Sequence, residues 1–438
     1  MKCGKIVFFI SIFYYAFISG CQSASNLLHT TVVHTPLDQN RQERLLSKCD
    51  FQRALTIAQE NKSLFLKNAE SGLIHFYRKD FQSAGHYFQN AIDIYRKEEN
   101  KPLLTFSDYL IFDYAGEGYD KVFLHDYNAL TYLLQGDLEN ARVETKNADF
   151  IQYKERRKFY ERIKAFDLEK QNSAVKLILN RYEKLFFHVN SQHNPYQNPF
   201  AFYLSALLFE EEGRFDDAKI DMQNALKFYT DAFLLKEKLK RYQKRDITTV
   251  PHVEIFVDVG KSPVKTQYKE AVKVSSQKRQ NIYLPSFELY LSDVSKIVVK
   301  DQNNKVVARS CVMADVKAIK INAFKRELPM MLEKIFYETA REAAGSILSE
   351  KTPFAVPFYN MIKVIYSQNS ALSWMTLPER VEVLSFVPRK GDLYILEARD
   401  QENRLIDSIT LVLNCPKRLK NCYKHFVIRE NKFCKGRK

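Results

Sequence analysis

Glycine and proline are scarce in this chain of 438 residues, at 12 and 13, and tryptophan occurs once, whereas Lys, Asn, Ile, Phe and Tyr are abundant. That bias accounts for part of the net charge of +15, so the charge alone gives no reason to expect nucleic acid as a partner. Patterns that carry common chemistry are missing as well. The absence of a G-x-S-x-G elbow, an H-E-x-x-H helix and a G-x-x-x-x-G-K-[ST] loop removes the usual hydrolase, metalloprotease and nucleotide-binding signatures. No C-x-x-C pair occurs, which removes zinc ribbons and thioredoxin-type sites. Gly116 and Gly118 in "AGEGYD" lack a third glycine and a preceding strand, so they read as a turn before a helix. His188 and His193 stand five apart, off a common helical face, which argues against a metal pair. The expectation is a protein that is not an enzyme, with no catalytic residues, metal or cofactor.

Beyond the first twenty residues, no stretch approaches the roughly 20 apolar residues of a spanning helix, so the body is expected to be soluble. The opening itself is informative. Lys2 and Lys5 precede an almost wholly apolar run from Ile6 to Phe17, and Ile18-Ser19-Gly20-Cys21 follows at once. A charged end, an apolar run of about a dozen residues and small residues at the cut make a secretory signal. The run is too short for an uncleaved membrane anchor. With a cysteine after the small pair, it resembles a bacterial lipoprotein signal. That resemblance implies removal of residues 1–20 and lipidation of Cys21 with palmitate-type acyl chains. The lipoprotein sorting pattern keeps Asp after the cysteine for inner-membrane retention, and Gln22 stands there instead. The expected address is the outer membrane, lipid-anchored and facing the periplasm.

Of the seven cysteines, Cys3 leaves with the signal and Cys21 carries lipid. Cys49, Cys311, Cys415, Cys422 and Cys434 remain, an odd set that leaves at least one free or intermolecular in an oxidising compartment. Cys415 closes the strand-like "ITLVLN" and Cys422 opens "YKHFVI", so a disulfide between them across one hairpin is the candidate. From Cys415 to Lys438 there are nine Lys or Arg against the single acid Glu430. Such a block is a solvated tail or a contact for anionic lipid or glycan.

Residues 21–45 are polar and read as a tether. From 46 to 246 the grammar is helical, and three segments repeat one spacing: "YRKDFQSAGHYFQNAI", "LLQGDLENARVETKNAD" and "FEEEGRFDDAKIDMQNAL". Each carries a turn, an apolar residue two on, and alanines seven apart (Ala84 and Ala91, Ala141 and Ala148, Ala218 and Ala225). Small residues at these offsets let two antiparallel helices approach closely, as in tetratricopeptide-like hairpins. Ala84, Ala141 and Ala218 are 57 and 77 residues apart, so extra helices must fill the gaps. One such helix is expected from about Phe150 to Phe187, folded against the repeats. The groove lined by the first helix of each pair would expose Ala69 and Leu73, Asp126 and Leu130, and Tyr203 and Leu207. Asp126, Leu130, Tyr203 and Leu207 are the candidate peptide-binding residues, with packing against inserted helices as the competing fate. Glu210-Glu211-Glu212 reads as a solvated face.

Near Thr248 the period falls towards two. "VPHVEIFVDVG", "QNIYLPSFELYL" and "SKIVVKDQNNKVVARS" read as strands, a helix follows from about Ala318 to Leu348, and three strands lie in "RVEVLSFVPRKGDLYILEARDQENRLIDSITLVLN". The expected fold is a mostly α N-terminal half of tetratricopeptide-like hairpins, then an α+β domain at 247–352, then a β-rich unit with a basic tail at 353–438. The last part is expected to be a small β-sandwich. Trp374 reads as a core anchor.

"YAGEGYDKVFLHDYNALTYLLQGDLENARVETKNAD", "NPFAFYLSALLFEEEGRFDDAKIDMQNAL", "SPVK" and "SWMTLPERV" together resemble a family of uncharacterised Gram-negative lipoproteins with tetratricopeptide-like N-terminal repeats and a β-rich C-terminal half. The resemblance implies a fold and an address and supplies no catalytic residues. Three functions follow as expectations. The first is an envelope scaffold binding other envelope proteins through its repeats. The second is an envelope enzyme or an activator of a peptidoglycan enzyme, and the third a binder of anionic glycan or lipid at the basic C-terminus. Repeats and anchor favour the scaffold.

Overall fold

The computed structural model describes residues 36–100, 114–164, 173–186, 189, 195–228, 232–244, 251–273, 279–349, 372–389, 391–413 and 419–434. The signal segment, Cys21, His188, His193, Cys415 and the last four residues lie outside that set. The N-terminal half is helical. Helices α1 (Pro36–Ser47) and α2 (Phe51–Gln59) precede three hairpins, namely α3 (Leu64–Tyr77) with α4 (Phe81–Glu99), α5 (Gly118–Gln135) with α6 (Leu138–Lys164), and α8 (Pro199–Glu212) with α9 (Phe215–Leu226). Between the last two runs α7 (Ser173–Leu185), and α10 (Phe233–Lys244) closes the half.

The spacing seen in the sequence has a steric cause. A Cβ on Gly72 would lie 2.6 Å from the Phe88 ring, and Ala84, Ala141 and Ala218 are fully buried at the crossings. Gly136 and Gly213, at φ 80° and 78°, end α5 and α8 in the left-handed conformation that lets the chain turn back. Asn198 caps α8 by accepting from the Phe200 N–H at 3.1 Å, with Pro199 in the first turn.

Two expectations about the helices are corrected. The tether does not run to residue 45: α1 starts at Pro36, and Gln42, Glu43 and Leu46 are buried. The helix expected from Phe150 to Phe187 is two elements. Its first part continues α6 to Lys164, and its second is α7, whose Tyr182 packs with Phe186 just beyond the helix against Phe324 of α11 (Val316–Ser349).

The C-terminal half holds β1 (Val253–Val259), β2 (Val264–Lys273), β3 (Arg279–Glu288), β4 (Lys296–Asp301), β5 (Val306–Arg309) and β6 (Cys311–Asp315) before α11. After it come β7 (Arg380–Phe386), β8 (Tyr394–Arg399), β9 (Leu405–Leu411), β10 (Cys422–Arg429) and β11 (Lys432–Phe433). One mixed sheet runs β11-β10-β1-β7-β6, with β10 parallel to β1. A second, antiparallel, runs β5-β4-β8-β9, and β2 with β3 forms a separate hairpin. The two larger sheets pack on an aliphatic core in which Val253, Ile255, Val257 and Val259 meet Ile297, Val299 and Leu396. Both sheets draw strands from before and after α11, so segments 247–352 and 353–438 share one sandwich.

Among the described residues, the strands on either side of Cys415 and Cys422 do not pair as the expected hairpin. Strand β9 pairs with β8 in one sheet while β10 enters the other, and the basic segment read as a solvated tail supplies the buried β10. Arg429 is itself buried, donating to the carbonyls of Gly260 and Thr376 and to the Tyr77 hydroxyl. Cys49 is bonded to Cys434, and Cys311 is a free, buried thiol. Cys422 is disulfide-bonded, and its partner is not among the described residues.

Candidate functional site

Strand β1 explains where the helical groove went. Its sequence "VEIFVDV" is buried along its whole length. The odd-numbered residues face the second sheet, and Glu254, Phe256 and Asp258 face the helices. A Glu and an Asp on such a strand need partners, because an uncompensated buried charge costs several kcal/mol, about the whole stability of a domain. The first helices of two hairpins supply them. Tyr127 of α5 donates to Asp258 at 2.8 Å and Tyr203 of α8 donates to Glu254 at 2.8 Å. Phe76 of α3 packs on His425 of β10, and Phe200 of α8 packs on Phe256.

The candidate groove is therefore occupied by the chain's own mixed sheet. Asp126, Leu130, Tyr203 and Leu207, with Ala69 and Leu73, are fully buried rather than displayed for a peptide. Burial pushes the Asp126 carboxyl well above the usual carboxylate range, opposed only by a hydrogen bond from Asn198 Nδ2 at 2.8 Å. Burial thus disfavours its charged form, which suits a core position rather than a recognition charge.

The acidic run at the end of α8 is likewise not a solvated face. Glu210 is buried with Lys238, Arg241 and the Tyr242 hydroxyl around it, and Lys238 also bonds Glu254 at 2.6 Å. Burial favours the protonated form of Glu210, but the Lys238 ammonium and the Tyr242 hydrogen bond outweigh it and hold the carboxyl down at about 2. Glu211 accepts from the backbone N–H groups of Lys420 and Asn421 and from the Tyr423 hydroxyl, seating the loop before β10. Glu212 pairs with Arg142 of α6.

Four segments singled out in the sequence meet at the start of α5. Glu117 caps that helix, forming a capping box with Asp120, and bonds Lys265 of "SPVK". Lys320 of α11 donates to the Trp374 carbonyl at 2.7 Å and to Ser373 Oγ at 3.2 Å, both in "SWMTLPERV". Burial lowers Lys320 to about 8. Ser373 is only 2% exposed, so this serine–lysine contact closes a junction and presents no nucleophile to solvent. Trp374 is fully buried beside Phe88 and Tyr127, as expected of an anchor.

With the inner face filled, concave surface remains between the second and third hairpins. A pocket of about 250 Å³ is walled by α6 (Thr145, Lys146, Asp149, Gln152), α8 (Ala201, Phe202, Ser205, Phe209) and α9 (Asp217, Ile220, Asp221). Ser205 and Phe209 lie on the far side of α8 from Tyr203 and Leu207, so one helix serves core and pocket at once. Burial pushes the Asp221 carboxyl up to about 6. The Ser205 hydroxyl bonded to it opposes the rise, and the charges of Asp149 and Asp217 add to it. Beside the pocket, α6 turns Val143, Phe150, Tyr153 and Tyr160 outward, each at least half exposed, and Ile220 of α9 is 54% exposed. The offsets of 7, 3 and 7 along α6 place those four in a single stripe. None of the pocket residues was among the sequence candidates. The available signal was this stripe on the outer helix of the second repeat, where a soluble helix carries polar residues.

Among the described residues no group of three or more His, Cys, Asp or Glu is placed to hold a metal ion, and no helix is long and apolar enough to cross a membrane. Comparison with protein-family models, curated proteins and solved structures finds no match for the chain.

Proposed function

We propose that the protein is a lipid-anchored envelope scaffold, held at the outer membrane through Cys21, which binds other envelope proteins through the outer surface of its helical repeats. The observation that carries this reading is the division of labour in the helices. Their inner face is spent on the chain's own sheet, while α6 and α9 display an apolar stripe beside a recessed acidic pocket. Contiguous exposed apolar surface on a folded domain marks an interaction site. The lipoprotein-like opening and the resemblance to Gram-negative lipoproteins support the envelope address.

A photo-crosslinking residue at Phe150 or Tyr153, with one at Leu130 as the buried control, tests the reading in cells. One envelope protein captured from the outer positions and none from Leu130 is expected. No adduct at Phe150 or Tyr153, together with turnover of a cell-wall substrate by the purified protein, would replace the scaffold by an enzyme.

A further inference from the structure

The polar groups of the α6–α8–α9 pocket are of two kinds, and together they specify a ligand. Gln152 is 1% exposed. The backbone N–H of Asn198 donates to its Oε1, which fixes the orientation of the amide. That leaves Nε2 a buried donor without a hydrogen-bond partner, on a side chain that lines the pocket. Asp149 and Asp221 supply acceptors and negative charge, while Asp217 is held by Arg214 at 2.7 Å. Lys146 contributes the pocket's own cation.

These groups exclude the simple occupants. An anion would be brought among three carboxylates. A bare cation would satisfy the carboxylates but leave the buried Gln152 amide unpaired, which costs the desolvation of that donor. A ligand with an ammonium group one carbon from a carbonyl satisfies both, because the ammonium donates to the carboxylates and the carbonyl oxygen accepts from the amide. The remaining walls, Phe202, Phe209 and Ile220, suit an apolar side chain, and about 250 Å³ is room for one residue.

We propose that this pocket binds an α-amino acid or the amino-terminal residue of a peptide, with its ammonium on Asp221 and Asp149 and its carbonyl oxygen on the Gln152 amide. The site goes beyond the scaffold reading and does not depend on it. It is measured on the purified protein, so a failed cross-link in cells and a failed titration are separate results.

Calorimetric titration of the full chain with Leu-Gly-Gly, N-acetyl-Leu-Gly-Gly and free leucine is the test. Leu-Gly-Gly is expected to bind and the acetylated peptide to bind about tenfold more weakly or worse, the scale of losing one charge-assisted hydrogen bond. Free leucine binding as well as the tripeptide makes an amino acid the source, and binding of the tripeptide alone makes it a peptide end. Asp221→Asn and Gln152→Glu should each weaken Leu-Gly-Gly by a similar factor, and Gln152→Glu keeps the acceptor that Asn198 needs. Asp221→Asn decides by itself if the Gln152 variant does not fold, since Asp221 is half-buried at the pocket rather than enclosed in the core. Equal binding of the acetylated peptide, unchanged affinity in Asp221→Asn, or no heat from either peptide at about millimolar concentration would overturn the proposal.

Discussion

At the scale of residues, buried charges decide how the two halves hold each other. Lys238 stands between Glu210 and Glu254 and is almost fully buried, so its removal strips the Glu254 carboxylate of its ammonium partner and leaves Glu210 with Arg241. Breaking a buried pair in this way costs about 3–5 kcal/mol. Lys238→Met is expected to lose that much in denaturant unfolding at neutral pH. Glu99, at the end of α4, is a milder case that gives a clear pH signature. It meets Lys121 at 2.7 Å and Lys154 at 2.7 Å, tying the first hairpin to the second. Burial works against its ionised form, but these lysines and Lys158 prevail and lower the carboxyl from 4.5 to about 2. A depressed folded-state value stabilises above the unfolded value, and that contribution disappears as pH falls from 4.5 towards 2. That shift is worth about 3 kcal/mol in full, and solvent screening at this half-buried site reduces it, so Glu99→Gln should cost about 2 kcal/mol at pH 7, with the gap from wild type closing by about pH 2. A constant gap across that range would contradict the assignment.

These charges were the least legible feature of the sequence. Glu210 and Glu211 read as surface because their helix end looks polar over a few residues. Their partners lie elsewhere in the chain, Lys238 28 residues on and Lys420 209 residues on. A local window contains no trace of a partner so distant.

Helical hairpins and individual strands, by contrast, were legible because their causes are local. The alanine spacing marks where two helices must touch, and the structure buries Ala84, Ala141 and Ala218 there. Replacing Ala141 or Ala218 with Leu would overpack the crossing and cost about 1–3 kcal/mol in thermal unfolding. Strands β1, β3, β4, β5, β7, β8 and β9 fall in the segments read as strands, whereas β2 and β6 lie outside them, and the turn at Asp301 to Lys305 closes with Asp301 N–H donating to the Lys305 carbonyl. Strand β10 was obscured by its charge. Lys424 and Arg429 flank "HFVI", so the segment reads as one arm of an exposed basic hairpin, whereas the strand is buried on both faces. Which sheet each strand joins was not legible either, since the parallel pairing of β1 with β10 unites segments about 170 residues apart. Only the acids in "VEIFVDV" hinted that this strand would be covered on both sides.

On the scale of the whole molecule, helices and sheet share one core. Phe256 and Trp374 lie in the same cluster as the hairpin residues Phe76 and Tyr127, so the halves are expected to unfold together. The Cys49–Cys434 bond joins the start of the helical half to the end of the mixed sheet across 385 residues of sequence. Cross-links that close long loops stabilise most, so Cys434→Ser should cost about 3–5 kcal/mol under oxidising conditions, and the variant and wild type should converge when reductant is added. Equal stability of the two without reductant would show the bond to be incidental.

The protein's own sheet fills the tetratricopeptide-like groove. Thermal unfolding of the double variant Asp126→Lys, Tyr203→Ala tests it most directly, because these are the residues that an open groove would show to a partner. Loss of the cooperative transition or a large fall in its midpoint is expected, since a charge would enter the core and the Glu254 carboxylate would lose its Tyr203 donor. A midpoint equal to that of the wild type would contradict it and return the groove to solvent.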